Sequence, residues 1–292
     1  MSHKHPIIAV TGASGAGTEP VRTAFEHLFW REKVKVATLD GEAFHRYTRD
    51  EMKKEVEKSR KKQGQAISHF GPEGNILDKL EAVFREYGES GTGQRRHYLH
   101  NDADALQHNQ PAGTFTRWEA IPEDSDLLFY EGLHGGYISG DINVPQHVDL
   151  LIGVTPIVNL EWIQKIHRDC AERGYSREAV TQTILDRMHD YVHYITPQFS
   201  RTHINFQRVP VVDTSNPTIS RDVPTLDESY VVIRFRYPKG VDFPYLLRMI
   251  HNSFMSRPNT LVIPGGKQLL AMETILLPLL HDLKEKKRSA AG

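Results

Sequence analysis

The sequence predicts an α/β fold: a three-layer sandwich in which helices flank a mixed, mostly parallel sheet. Three observations predict it. Residues 6–11, Pro-Ile-Ile-Ala-Val-Thr, are short, apolar and partly β-branched, the pattern of a strand buried on both faces. A glycine-rich run at residues 12–17 interrupts that strand, and Pro20 stands behind it, where helices begin. Val21, Ala24, Phe25, Leu28 and Phe29 then recur at the i, i+3, i+4, i+7, i+8 spacing of a half-buried helix, before a second strand at residues 34–39. Together they make one βαβ unit, the seed of a parallel sheet.

The other elements follow in order. Residues 50–62 read as a helix whose Lys and Arg face solvent, 64–75 as loop and 76–87 as an amphipathic helix. Residues 88–120 form a small insertion, with a hairpin or excursion expected over 88–104. Residues 127–130 are a strand ending at Glu131-Gly132, and 148–154 another; a long helical stretch covers 159–194. Strands at 209–213, 230–236 and 260–263 and a helix at 268–286 complete the chain, with a frayed tail expected over 284–292. No repeat or linker interrupts residues 1–292, which reads as one domain.

Composition narrows the function. Hydrophobic content of 39% and charged content of 25% are those of an ordinary globular protein. Lys plus Arg number 36 against 37 Asp plus Glu, a net charge of −1, which removes the basic footprint of a nucleic-acid binder. The single cysteine, Cys170, excludes an intrachain disulfide and an internal dithiol switch. No stretch approaches the roughly 20 apolar residues of a membrane helix, and residues 1–12 read as lacking a signal peptide, so the cytoplasm is the expected compartment.

Two nucleotide-binding frames compete for the glycine-rich run. Gly12, Gly15 and Gly17 stand in the order G-x-x-G-x-G, against the dinucleotide order G-x-G-x-x-G. Gly12, Ala13, Ser14, Gly15, Ala16 and Gly17 do supply the six-residue frame of a P-loop, G-x-x-x-x-G-K-[ST]. Thr18, however, stands where the lysine belongs and Glu19 where the magnesium-binding hydroxyl belongs. The physics of the frame survives: small residues turn successive N–H groups inward, ahead of a helix N-terminus, and so cradle a phosphate. The same run also fits an ordinary tight β–α turn. Glu19 adds negative charge beside the phosphates, although it could itself hold Mg²⁺, and Pro20 removes one N–H from the cradle. A strand ending in Glu131 is what a P-loop enzyme uses to position magnesium or its water, so the fold expected is of the P-loop NTPase type.

Lys165, Arg168 and Asp169 lie at i, i+3 and i+4 on one helix face, with Arg173 at its end. Cations beside a carboxylate suit a polyanionic substrate, and equally an exposed face of ion pairs. The segment also fills K-x-x-R-D-x-x-x-R-G-x-[ST]-x-E through Lys165, Arg168, Asp169, Arg173, Gly174, Ser176 and Glu178. In this it resembles the phosphoribulokinase family. The likeness extends over nearly the whole chain, through residues 41–46, 68–71, 85–88, 98–100, 130–135, 159–165, 205–210 and 212–217. Length and the single cysteine look like the bacterial branch, not the thiol-regulated plant branch.

The resemblance implies ATP-dependent phosphorylation of ribulose 5-phosphate at its C1 hydroxyl, with Mg²⁺, in a large homo-oligomer, typically an octamer, that responds to NADH and AMP. It places the general base at Glu42, where the family carries Asp, and sugar-phosphate binding at His45, Arg49 and Arg173, with Tyr98 and His100 near the substrate. Lys165 and Arg168 match phosphate-handling cations, Asp169 a second essential acid that could also meet magnesium, and Glu131 the metal carboxylate. Because the departures at Thr18, Glu19, Pro20 and Glu42 cluster at the chemistry, two alternatives stand beside this reading. One is a relative that binds sugar phosphate with little catalysis, and the other a kinase for a different phosphosugar. The spacing of His97 with His100 and of His189 with His193 suits a metal, but no third ligand or cysteine cluster accompanies either pair. His134 reads as a wall residue of the site.

Overall fold

Alternation along the first strand sets the layers. In β1 (Ile7–Gly12), Ile8 and Val10 enter one apolar cluster and Ile7 and Ala9 the other. The computed structural model describes residues 4–13, 15–155 and 157–291; Ser14 of the glycine-rich loop lies outside them. The main sheet continues through β2 (Val36–Asp40), β3 (Leu127–Gly132), β4 (Leu150–Val154), β5 (Ile204–Pro210), β6 (Ser229–Phe235), β7 (Phe254–Arg257) and β8 (Thr260–Pro264). Across the sheet the order is β2-β3-β1-β4-β5-β6-β8-β7. The first five strands are parallel, and β6, β8 and β7 complete the sheet antiparallel.

One face is covered by α1 (Glu19–Arg31) and α8 (Gln268–Ala291), which pack Phe25, Leu28, Met272 and Leu276 against Val10, Ile152 and Ile233. The other face carries α3 (Leu77–Ser90), whose Leu80, Phe84 and Tyr87 meet Leu128, Tyr130 and Leu151. This is the mixed, mostly parallel sheet flanked by helices that the sequence predicts. Because β1 feeds β2 on one side while β3 crosses to β4 on the other, the strand order reverses at the carboxyl end of β1, where such sheets bind ligands.

Several boundaries move. The stretch expected as one helix over 159–194 is α5 (Val158–Arg173) and α6 (Arg177–Asp186), followed by a wider π-turn at Tyr191–Ile195. The break is at Gly174, whose φ of 69° ends α5, and at Ser176, whose hydroxyl accepts from the Ala179 N–H to start α6. The strand expected at 209–213 is displaced to Ile204–Pro210, with Val211 exposed. Its polar Asn205 is buried because its amide donates to the Phe199 carbonyl and accepts from the Thr202 hydroxyl. The tail expected to fray from 284 is helical to Ala291: Lys284 donates to the Glu32 carbonyl and Lys287 to those of Ser125 and Asp126. Sequence periodicity also misses α7 (Phe243–Met249) and the edge strand β7.

Within 88–120, Gln94–Arg95 pairs antiparallel with Glu119–Ala120, and α4 (Asp102–His108) lies between them. The helix α2 (Arg49–Gln63) starts with a reciprocal cap between Thr48 and Glu51. Among the described residues no helix is long and apolar enough to cross a membrane.

Candidate active site

The glycine-rich loop leaves β1 and bends back at once, with the Ala16 N–H donating to the Ala13 carbonyl at 2.9 Å. Gly15 takes φ 103°, a conformation side chains rarely adopt, and a Cβ there would lie 3.1 Å from the Glu161 carbonyl and 3.2 Å from Lys165 Cβ. The loop therefore rests on α5, directly against the stem of Lys165. Thr18 ends the loop and begins α1, but its hydroxyl caps nothing; it donates to Glu131 Oε1 at the tip of β3. Glu19 and Pro20 occupy the first turn of α1, with the Glu19 side chain exposed.

The tips of β2 and β3 approach backbone to backbone. A Cβ on Gly41 would stand 2.7 Å from Gly132 Cα, so only glycine admits this approach, which brings Glu42 beside the Glu131 strand end. Asp40 and Glu131 are direct partners in the sheet register, and Arg22 Nε lies 3.7 Å from Glu131. Burial pushes the Glu131 carboxyl above its ordinary value, against the opposing bond from Thr18.

Glu42 sits on a short 3₁₀ turn, Gly41–Phe44, and forms an ion pair with His100 Nε2. Desolvation pushes Glu42 up, yet the His100 bond and nearby positive charge outweigh it and leave its carboxyl below the ordinary range. The same bond raises His100 above the usual histidine value. Arg49 donates from Nη2 to the His100 carbonyl at 2.7 Å. The Tyr98 ring stands edge-on to both His45, at 6.0 Å, and His100, at 4.9 Å. His45 is buried and stacks on His69 at 3.8 Å, and burial holds His45 well below its ordinary value. Burial likewise lowers His69 and His134 to about 4, so all three rings are neutral, polar wall groups near pH 7.

Across from them, Lys165 Nζ donates to Asp169 Oδ2 at 2.5 Å, with both residues buried. Arg168 and Arg173 reach the other carboxylate oxygen, Oδ1, at 3.1 and 3.4 Å. One carboxylate thus gathers three cations, of which Lys165 has its stem against the loop, a grouping that suits a polyphosphate. Burial depresses Lys165 to about 8; Asp169 is pushed up by burial but held below its ordinary value by the cations around it.

The structure brings the predicted residues into two groups. Gly12, Ala13, Gly15, Ala16, Gly17, Thr18, Glu131, Lys165, Arg168 and Asp169 gather around the glycine-rich loop, while Glu42, His45, Arg49, Tyr98 and His100 gather around the turn after β2. Arg173 spans them: it touches Asp169, and its charge reaches Glu42 and His100. Sequence reasoning missed Arg187, whose guanidinium lies over Phe70 at 5.7 Å and whose charge reaches Lys165, His45 and His69. It also missed Glu161, buried under the loop, accepting from the Tyr191 hydroxyl at 2.9 Å and pushed up to about 7 by burial. Neither carries a local mark; an arginine after a helix and a glutamate in its first turn look like surface charges until the fold buries them.

Magnesium asks for little dedicated protein: one or two carboxylates, with substrate phosphates completing the octahedron. Glu131, at a strand end beside the loop, fits that demand. Both Asp169 oxygens are already engaged by cations. Among the described residues no group of three or more His, Cys, Asp or Glu is placed to hold a metal by itself.

The chain is similar to known proteins over nearly its whole length. Residues 7–215 match the model of the phosphoribulokinase/uridine kinase family. The chain is 58% identical over 291 residues, covering 100% of both chains, to a plasmid-borne phosphoribulokinase of Cupriavidus necator. It is 57% identical over 288 residues, 99% of each chain, to a probable phosphoribulokinase of Escherichia coli. The solved structure of a phosphoribulokinase from Rhodobacter spheroides superposes with a TM-score of 0.89 at 54% identity, over 98% of this chain and 99% of the other.

Proposed function

The chain belongs to the phosphoribulokinase/uridine kinase family, and on that premise we propose that it moves the γ-phosphoryl group of ATP to the C1 hydroxyl of D-ribulose 5-phosphate, giving D-ribulose 1,5-bisphosphate. One observation carries the reading: the phosphate loop packs on the stem of Lys165, and Arg173 links that cation cluster to the Glu42–His100 pair, touching Asp169 while its charge reaches both. A phosphate donor held on the loop side and a hydroxyl acceptor held beside Glu42 would then meet next to Arg173.

Phosphoryl transfer needs positioning and charge neutralisation more than covalent help. Gly12 to Gly17 cradle the phosphates; Lys165 and Arg168 balance charge as the bond from the γ-phosphorus to the β-phosphate oxygen breaks. Glu42, held ionised by His100, accepts the C1 hydroxyl proton as that oxygen bonds the γ-phosphorus. His45, Arg49 and Arg173 hold the phosphate already on the sugar, Tyr98 and His100 its hydroxyls, and Arg187 joins this cationic wall. Glu131 would hold Mg²⁺, which would supply charge neutralisation to the phosphates. Asp169 keeps the three cations together instead of binding metal, since both its oxygens are taken. The proposal extends to a homo-oligomer, octameric by family habit, with NADH and AMP as effectors and the cytoplasm as compartment.

The test is ADP release by purified protein with Mg²⁺, ATP and a panel of phosphosugars. Ribulose 5-phosphate is expected to be preferred. Release with another phosphosugar at higher kcat/KM would reassign the substrate, and sugar-phosphate binding without ADP release would make the chain a binding relative.

A further inference from the structure

Arg96 lies outside every contact discussed so far, yet it ties together the two segments that form the sugar-phosphate side. Its Nε donates to the Ala43 carbonyl and its Nη2 to the His45 carbonyl, each at 2.7 Å. Those carbonyls bracket Phe44, at the end of the turn that presents Glu42 and leads into His45. The guanidinium is laid over the Phe115 ring, with Cζ 3.7 Å from its centroid, and against Trp118 at 4.7 Å. Trp118 in turn packs on Phe44 at 5.8 Å, so the clamp closes around the turn from both sides.

Arg96 also begins the short run that carries Tyr98 and His100. The run is fastened at its root by Arg96, and at its tip by the Glu42–His100 pair and the Arg49 bond to the His100 carbonyl. Burial lowers the guanidinium only to about 10, so it is charged near pH 7, and two carbonyl dipoles and two aromatic faces satisfy that charge. A planar fork makes two parallel bonds of this kind from separate nitrogens, whereas a lysine offers a single compact ammonium without that geometry.

We propose that Arg96 is a positioning residue for phosphoryl transfer, setting the distance between Glu42 and the substrate wall of Tyr98 and His100. The proposal rests on Glu42 and His45 serving the sugar phosphate. A misplacement of ~1 Å at a reacting group costs on the order of 100-fold in rate, and losing both carbonyl anchors removes the bonds that hold the turn in place.

The experiment compares Arg96→Lys and Arg96→Met with Glu42→Gln, His45→Ala and Lys79→Ala. Lys79 also sits over Trp118, at 3.6 Å, but touches neither carbonyl, so its variant controls for loss of the aromatic stack. We expect both Arg96 variants to lower kcat/KM for ribulose 5-phosphate by about 10- to 100-fold, Lys less than Met, with KM for ATP within about twofold. The acid limb of the sugar-phosphate kcat/KM profile should move to higher pH as the Glu42–His100 pair loosens, an effect a purely structural strap would not produce. Lys79→Ala should leave all three readouts unchanged. If Glu42→Gln and His45→Ala are impaired while both Arg96 variants keep wild-type kcat/KM and pH profile, the proposal is overturned. It also falls if Arg96 variants lose ATP and sugar-phosphate steps equally. Should Glu42→Gln and His45→Ala behave as wild type, the assignment of the cleft fails first; should Arg96→Met not fold, Arg96→Lys alone decides.

Discussion

Lys165→Met separates the catalytic from the structural role of the cation cluster. The Lys165 and Asp169 side chains are only 8% and 6% exposed, so their bond is close to fully desolvated. Removing one partner of such a pair commonly costs about 3–5 kcal/mol, because the other charge is left buried and uncompensated. The two removals are not equivalent here. Without Lys165, Asp169 still has Arg168 at 3.1 Å and Arg173 at 3.4 Å. Without Asp169, Lys165 is left beside Arg168 and Arg187, and its remaining acidic neighbour is Glu161, which burial itself pushes up to about 7. Asp169→Ala should therefore destabilise by about 3–5 kcal/mol and Lys165→Met by roughly 1 kcal/mol, nearer the value of an exposed pair, both read by chemical denaturation. Activity reverses the order of interest. Of the clustered charges, Lys165 is the one whose stem is seen against the glycine-rich loop, and removing one donor aimed at developing charge costs about 10²- to 10³-fold in kcat. Coupled ADP release should show that loss in a protein whose melting is nearly normal. A Lys165→Met enzyme within tenfold of wild-type kcat, or as unstable as Asp169→Ala, would refute the reasoning.

Three further outcomes follow from the same geometry. For the Glu42–His100 pair, Glu42 lies below its ordinary value, so its share of stability is present above the unfolded carboxylate pKa and lost as pH falls through the depressed one. His100 lies above its ordinary value, so its share is present below the unfolded histidine pKa and lost as pH rises through the raised one; His100→Ala removes the largest influence opposing desolvation of Glu42, leaving charge such as that of Arg173, and should move the acid limb of kcat/KM upward in pH, which an unchanged limb would contradict. Gly15→Ala forces a side chain onto φ 103° against α5; it should cost about 1–3 kcal/mol of stability and raise KM for ATP more than KM for the sugar phosphate, checked by calorimetry and initial rates. Glu19→Ser removes an exposed carboxylate beside the phosphate loop and should lower KM for ATP, while losing the helix-terminus charge costs only about 0.3–1 kcal/mol; an unchanged or raised KM would show that Glu19 does not oppose nucleotide binding.

Much of the fold was legible because local period and global burial agree in its first half. The β1–α1–β2 unit needs nothing beyond an apolar run, a glycine turn and a 3.6-residue stripe, and the structure places them within a residue or two. The second half resists the same reading where side chains are satisfied by distant partners. Asn205 hides a strand because an amide looks exposed until Thr202 and Phe199 receive it. Edge strand β7 exposes Phe254 and Arg257 alike, so no alternation marks it. Lys284 and Lys287 read as a solvated tail, yet their ammonium groups reach main-chain carbonyls far away in sequence.

The site divides along the same line. Residues of the signature helix were recognisable because chemistry and spacing coincide on one face. Arg96, Glu161 and Arg187 were not, since each acquires its role from what the fold stacks over it: two aromatic rings, a glycine loop, a phenylalanine. Thr18 makes the point in reverse. In sequence it is a missing lysine; in the structure its hydroxyl binds Glu131, and Lys165 arrives against the loop from another helix.

The most direct measurement is the position of the transferred phosphate. Protein incubated with Mg²⁺, ATP and ribulose 5-phosphate carrying ¹³C at C1 is followed by ³¹P and ¹³C NMR, alongside Glu42→Gln. The account predicts a phosphorus–carbon coupling at C1, marking ribulose 1,5-bisphosphate, and its near-absence with the Glu42→Gln enzyme. A phosphate on any other hydroxyl, or equal product from both enzymes, would contradict it.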